Sequence, residues 1–165
     1  MMVEIGELAQ DFSLPDHNGR SVGLSNFPGK RVILSFHPLA WTRVCARQME
    51  ALEVNREAFD ALGAVALGIS VDSVPSKRAW AERLGIKKTR FLADFWPHGG
   101  VAQMYGVFDS IKGYSRRANI VIDEFGRIIF IGEYPATAVP DMQDVLDALQ
   151  AQETSRRAEE QVPEI

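Results

Sequence analysis

The chain has 165 residues, 46% of them hydrophobic, with a net charge of −4 and a single cysteine. Such a length and composition suit one domain with a full hydrophobic core, and one cysteine rules out the intramolecular disulfide framework of small secreted domains. The acidic balance offers no basic field for nucleic acid, no stretch reaches membrane-spanning length, and Met1 to Glu7 lack the pattern of a secretory leader; the expectation is a cytoplasmic protein acting on a small molecule, with neither nucleic acid nor membrane as partner.

Residues 11–24 read as an N-terminal β-hairpin, with residues 12–14 and 21–24 flanking Asp16-His17-Asn18-Gly19, whose Asn-Gly pair suits a tight turn. After Pro28-Gly29-Lys30, residues 31–36 are apolar and rich in β-branched side chains, as a strand buried on both faces requires. Met49, Leu52, Phe59 and Leu62 then recur at helical spacing, which predicts one long amphipathic helix over 43–62 that Gly63 ends. Residues 65–71 form the next buried strand, and the β-α-β unit implies parallel pairing with a right-handed crossover. The core is therefore α/β.

Asp72-Ser73-Val74-Pro75 introduces a helix over 76–84, with Pro75 in its first turn and Gly85 after its end. Residues 91–94 read as a brief strand, and Gly99-Gly100 precedes a helix carrying Val101, Ala102, Met104 and Tyr105. Residues 120–123 and 128–131 enclose Glu124-Phe125-Gly126-Arg127 as an antiparallel hairpin of core strands. A final helix is expected over 141–150, which closes the domain at residues 1–150. Residues 151–165 lack a sustained apolar stripe and read as a polar C-terminal tail, either frayed helix or disordered.

The cysteine, Cys45, follows the first core strand in Pro38-Leu39-Ala40-Trp41-Thr42-Arg43-Val44-Cys45. An unpaired cysteine is ordinarily a small buried hydrophobe. At the start of a helix, however, free backbone N–H groups and the positive end of the dipole face the sulfur and favour the thiolate. Thr42 has two open roles, capping the helix or placing its hydroxyl on the sulfur or on a substrate oxygen. Pro38 either ends the strand ladder or shields the sulfur from water.

The spacing Pro-x-x-x-Thr-x-x-Cys, filled by Pro38, Thr42 and Cys45 after a core strand, resembles the active-site signature of the peroxiredoxins, the alkyl hydroperoxide reductase and thiol-specific antioxidant family. The resemblance continues through residues 6–12, Asp72-Ser73-Val74 and residues 94–99 to the final hairpin, and is nearest to the bacterial one-cysteine, AhpE-like branch. It implies a thioredoxin-like fold with a central mixed β-sheet flanked by helices. It also implies thiol-dependent reduction of hydrogen peroxide and organic hydroperoxides without metal, haem or flavin, and a homodimer or higher homo-oligomer. The family's remaining active-site position is an arginine shortly before the penultimate core strand, which Arg117 matches; Arg116 is left as a surface candidate. A guanidinium there would favour the thiolate and present donors to a peroxide oxygen.

The implied reaction is attack of Cys45 on a peroxide oxygen to give a sulfenic acid. Some relatives carry a resolving cysteine where this chain has Ser76, so the reductant must come from outside, as a small thiol or a thioredoxin- or glutaredoxin-like protein. Ser76 itself reads as a helix cap. His17, His37 and His98 lack ligand spacing, His37 reads as a hydrogen-bonded strand-end residue, and Trp41 and residues 95–98 read as core or subunit-contact aromatics. A peroxide sensor using the same cysteine to change a partner contact is the alternative from another functional class.

Overall fold

The computed structural model describes residues 1–161. Its centre is a five-stranded mixed sheet in the order β5-β4-β3-β8-β9. Strand β3 (Arg31–Phe36) pairs in parallel with β4 (Ala64–Ser70), and β4 with β5 (Arg90–Ala93); β8 (Arg117–Ile122) and β9 (Ile128–Tyr134) run antiparallel on the other side. Two small hairpins flank it, β1 (Leu14–Pro15) with β2 (Ser21–Val22), and β6 (Phe108–Asp109) with β7 (Tyr114–Ser115). The arrangement is the α/β, thioredoxin-like one expected from the sequence.

The two-residue period of a strand sorts side chains between two cores. Val32, Leu34 and Phe36 join Ala118, Ile120 and Ile122 on one face, beneath the N-terminal segment and α4 (Gly100–Met104). Ile33 and Val121 face the other way, onto Cys45, Met49, Leu52 and Trp80 of α1 (Arg43–Val54) and α3 (Val74–Leu84) and onto α5 (Met142–Glu160). Alternation therefore places Ser35, Arg117 and Asn119 on the α1 face. A Cβ at Gly68 of β4 would come within 2.3 Å of Met49 Sδ, so the absent side chain lets α1 lie close on the sheet.

Three elements differ from the sequence expectation. The helix predicted over 43–62 breaks at Asn55 into α1 and α2 (Arg56–Ala61), because the Asn55 side-chain amide donates to the Ala51 carbonyl at 2.8 Å and competes with the backbone ladder. Helix α3 begins at Val74, with Ser73 as the residue whose hydroxyl accepts the first-turn N–H of Ser76 at 3.4 Å; Ser73, not Ser76, is the cap. Helix α5 continues ten residues past the expected end at Gln150.

Polar anchors replace the missing apolar stripe in α5. Glu153 pairs with the 4%-exposed Arg31 at 2.9 Å, Arg31 also pairs with Glu124, and Gln152 donates to Glu124 at 2.7 Å. Arg156 and Arg157 brace Glu153 one turn on. Residues 162–165 of the expected tail lie outside the described residues.

Candidate active site

Three elements converge at the C-terminal end of β3. The loop from His37 to Thr42 leaves that strand, α1 starts at Arg43, and β8 begins at Arg117 on the neighbouring strand. Trp41 has the left-handed φ of 69°, uncommon for a bulky residue, and its indole N–H donates to Ser76 Oγ at 3.2 Å. The Ala40 N–H donates to Asp72 Oδ2 at 2.8 Å, so the loop is tied from both sides to the start of α3.

Cys45 lies in the first turn of α1, 1% exposed, and its sulfur accepts a hydrogen bond from Arg117 Nη1 at 3.3 Å. Arg117 is 4% exposed, and a charge so buried must be held by partners. Its Nη1 also donates to Gln48 Oε1 at 2.8 Å and its Nη2 to the Ala136 carbonyl at 2.7 Å, while Nε has no partner among the described residues. Gln48, one turn after Cys45, donates to Ser35 Oγ at 2.8 Å and to the Phe36 carbonyl at 3.1 Å, and Ser35 donates to Asn119 Oδ1 at 2.7 Å. The guanidinium is fixed by a chain of buried amides, and at 3.3 Å it stabilises negative charge on the sulfur.

Pro38, Leu39, Thr42, Val44, Tyr114 and Ala136 complete a cleft of about 250 Å³ around Cys45 and Arg117. The four residues singled out in the sequence, Pro38, Thr42, Cys45 and Arg117, all line it. Thr42 occupies the N-cap position, yet its hydroxyl donates to the Leu39 carbonyl at 2.7 Å; neither a cap bond nor a bond to the sulfur forms. Arg116 points elsewhere, to Glu133 at 2.9 Å and the Gly106 carbonyl at 2.7 Å. A second cleft of about 200 Å³ adjoins the first and shares Pro38, Tyr114, Arg117 and Ala136 with it.

The three histidines lie apart. His17 accepts the Phe91 N–H at 3.1 Å, His98 donates to the Gly113 carbonyl at 2.6 Å, and His37 is wholly buried. Burial, and then the neighbouring Lys77, hold the His37 imidazole well below the usual histidine range, so it is neutral at pH 7. Among the described residues no three His, Cys, Asp or Glu side chains gather as a metal site would need.

Gln48, Tyr114 and Ala136 were not singled out in the sequence. The spacing of Gln48 from Cys45, one helical turn, was a usable signal; nothing marked Tyr114 and Ala136, which reach the cleft from the β6-β7 hairpin and a loop.

A buried, arginine-bonded thiol at the mouth of a helix on a mixed sheet defines a thioredoxin-like thiol protein. A reduced 2-Cys peroxiredoxin of Plasmodium vivax shares this fold, with a TM-score of 0.86, 25% identity and 94% of this chain and 84% of that one covered. An AhpC of Enterococcus faecalis superposes equally well, TM-score 0.86, over 99% of this chain and 100% of its own at 23% identity. The AhpC/TSA family model matches residues 5–131, and the chain belongs to that family. The alkyl hydroperoxide reductase E of Mycobacterium tuberculosis is 38% identical over 151 residues, covering 91% of this chain and 98% of that protein. A peroxiredoxin of Thermoplasma volcanium is 31% identical over 156 residues, 92% of this chain and 75% of the relative.

Proposed function

We propose that this chain is a thiol-dependent peroxidase in which Cys45 is the reacting nucleophile, Arg117 and Thr42 orient the peroxide and Pro38 screens the sulfur from water. The observation that carries the reading is the 3.3 Å bond from Arg117 Nη1 to Cys45 Sγ inside an open cleft. Family membership supports a peroxidase oxidoreductase using peroxide and a thiol reductant.

In the step itself, the Cys45 thiolate forms an S–O bond to the distal peroxide oxygen as the O–O bond breaks. The sulfur is oxidised, the peroxide is reduced, and the departing oxygen takes up a proton to leave as water or alcohol. Arg117 has donors fixed in place before the substrate arrives, so charge moving from sulfur to oxygen meets dipoles that need no reorganisation. The hydroxyl of Thr42, which rotates freely about its Cβ–Oγ bond, can exchange its Leu39 acceptor for a peroxide oxygen. The adjoining cleft gives space for the organic group of a hydroperoxide.

With one cysteine in the chain, the sulfenic acid is resolved from outside. A first thiol condenses with it, releasing water and leaving a mixed disulfide, and a second thiol releases Cys45. We assign the protein to the cytoplasm and to a homodimer or larger homo-oligomer; exposed Trp41, Phe95 and Trp96 are the aromatics a second copy would cover. Residues 1–150 carry the whole site.

The test is stopped-flow mixing with hydrogen peroxide followed by intact-mass measurement, then turnover with added dithiol. Wild-type protein should gain one oxygen and consume many equivalents of peroxide. Wild-type protein that reacts no faster than Cys45→Ala would remove the assignment.

A further inference from the structure

Helix α3 meets the active-site loop with a lysine. Lys77 is 0% exposed, a state lysine almost never adopts without partners. Its Nζ donates to Ser70 Oγ at 2.6 Å, lies 3.3 Å from His37 Nε2 and sits 5.6 Å from the centre of the Phe91 ring. Ser70 donates to Asp72 Oδ2 at 2.7 Å, and that same oxygen accepts the Ala40 N–H. A continuous polar chain thus runs from α3 through the end of β4 to the middle of the loop between Pro38 and Thr42. His37, the residue before Pro38, is gripped from two directions, by Lys77 on its ring and by Ser115 Oγ on its carbonyl at 3.1 Å.

The charged and titratable neighbours of Lys77 come from every element packed on it. They are His37 at the end of β3, Cys45 on α1, Asp72 after β4, Asp94 after β5 and His17 in the N-terminal hairpin. Burial pushes the Lys77 ammonium down to about 7, while Asp72, Cys45 and Asp94 each favour keeping its proton.

We propose that Lys77 is a positioning residue for the peroxide reaction: its ammonium holds the Pro38-to-Thr42 loop through Ser70 and Asp72, and braces His37, the residue before Pro38. The inference rests on Cys45 being the reacting group. Arg117 acts on the sulfur by direct contact from β8, whereas Lys77 acts through the loop.

The experiment measures the rate constant for oxidation by hydrogen peroxide from pH 5.5 to 9 in wild type, Lys77→Met and Ser70→Ala. Lys77→Met replaces a buried charge by an apolar chain of similar length, and thermal melts confirm that it folds. It should be slower by about tenfold at pH 6, where the charged anchor of the loop on Ser70 and His37 is lost whole. The deficit should shrink towards pH 9, where the wild-type lysine is itself neutral. Ser70→Ala keeps the charge and cuts the tether to Asp72 while the His37 contact stays, and should be slower by about threefold at pH 6.

A Lys77→Met profile superimposable on wild type overturns the proposal. So does a deficit equal at all pH values, since a merely loosened core slows the reaction uniformly. Ser70→Ala reacting at the wild-type rate throughout removes the tether. Wild-type protein that does not oxidise at Cys45 is a separate result, distinguishable from the others because every variant is then equally inert, and it removes the peroxidase reading and the proposal with it.

Discussion

Arg117 and Gln48 meet at 2.8 Å although 69 residues separate them, and their contact sets where the guanidinium lies relative to the Cys45 sulfur. Gln48 rides on α1 with Cys45, one turn on, while Arg117 comes from β8. The distance between sulfur and guanidinium is therefore fixed by helix-to-sheet packing, whose closeness depends on Gly68 facing Met49.

Replacing Arg117 by alanine should slow peroxide reduction by about 10²- to 10³-fold, the cost of losing one preorganised donor to a developing charge. Arg117→Lys should recover little of this, since an ammonium cannot bond Cys45, Gln48 and the Ala136 carbonyl in one plane. Stopped-flow oxidation measures both. A lysine variant within threefold of wild type would reduce the role of the planar fork to a point charge.

Gln48→Leu removes the acceptor from Nη1 of Arg117 and the donor to Ser35 and Phe36 in a wholly buried setting. Leaving a charged donor short of a partner should cost about 1.5–3 kcal/mol of stability. The reaction should slow by about tenfold, because the guanidinium is no longer aimed. Gln48→Glu keeps the acceptor and should restore much of the rate. If both variants react at the wild-type rate, Arg117 is positioned by the Ala136 carbonyl alone.

Lys77 gives stability an unusual pH dependence. Its folded-state value, down to about 7 from the ordinary 10.5, means that between these two values the unfolded chain binds more protons than the folded one. The contribution of this group to stability therefore rises with pH across that window, and its burial penalty is complete below pH 7. Lys77→Met should melt above wild type at pH 6, and the gap should narrow steadily towards pH 10. Parallel melting curves for the two proteins over this range would show that the lysine is not titrating in the fold.

Much of the site could be read from the chain. The Pro38, Thr42 and Cys45 spacing and the Arg117 match carried it, because each sits at a strand or helix boundary that hydrophobic periodicity already marks. What escaped notice depends on tertiary packing. Asn55 breaks a helix whose apolar spacing continues to Leu62, since a side-chain bond to Ala51 leaves no trace in periodicity. Helix α5 extends to Glu160 because Glu153 finds the buried Arg31, a partner 122 residues away. Nothing in the spacing of α3 distinguishes Lys77 from its other charges, and only its placement beneath the loop reveals its partners.

Glu53 should govern acid sensitivity at the end of α1 opposite Cys45. Its carboxylate, at the end of α1, accepts the backbone N–H groups of Lys87, Lys88 and Thr89 and the Thr89 hydroxyl, closing the loop that leads into β5. Burial pushes this carboxyl up, but the converging donors outweigh it and bring the group down to about 2. A carboxyl lowered on folding contributes stability that is complete above its unfolded value of 4.5 and is lost as pH falls towards 2. Glu53→Gln presents one oxygen and an amide that cannot accept, so it should lose roughly 1–3 kcal/mol at pH 7. Below about pH 3, where the wild-type carboxyl is gaining its proton, the two proteins should converge. Denaturant titration at pH 7, 4.5 and 3 measures this, and a difference between the proteins that stays constant through the series would show that the carboxylate charge plays no part in closing the loop.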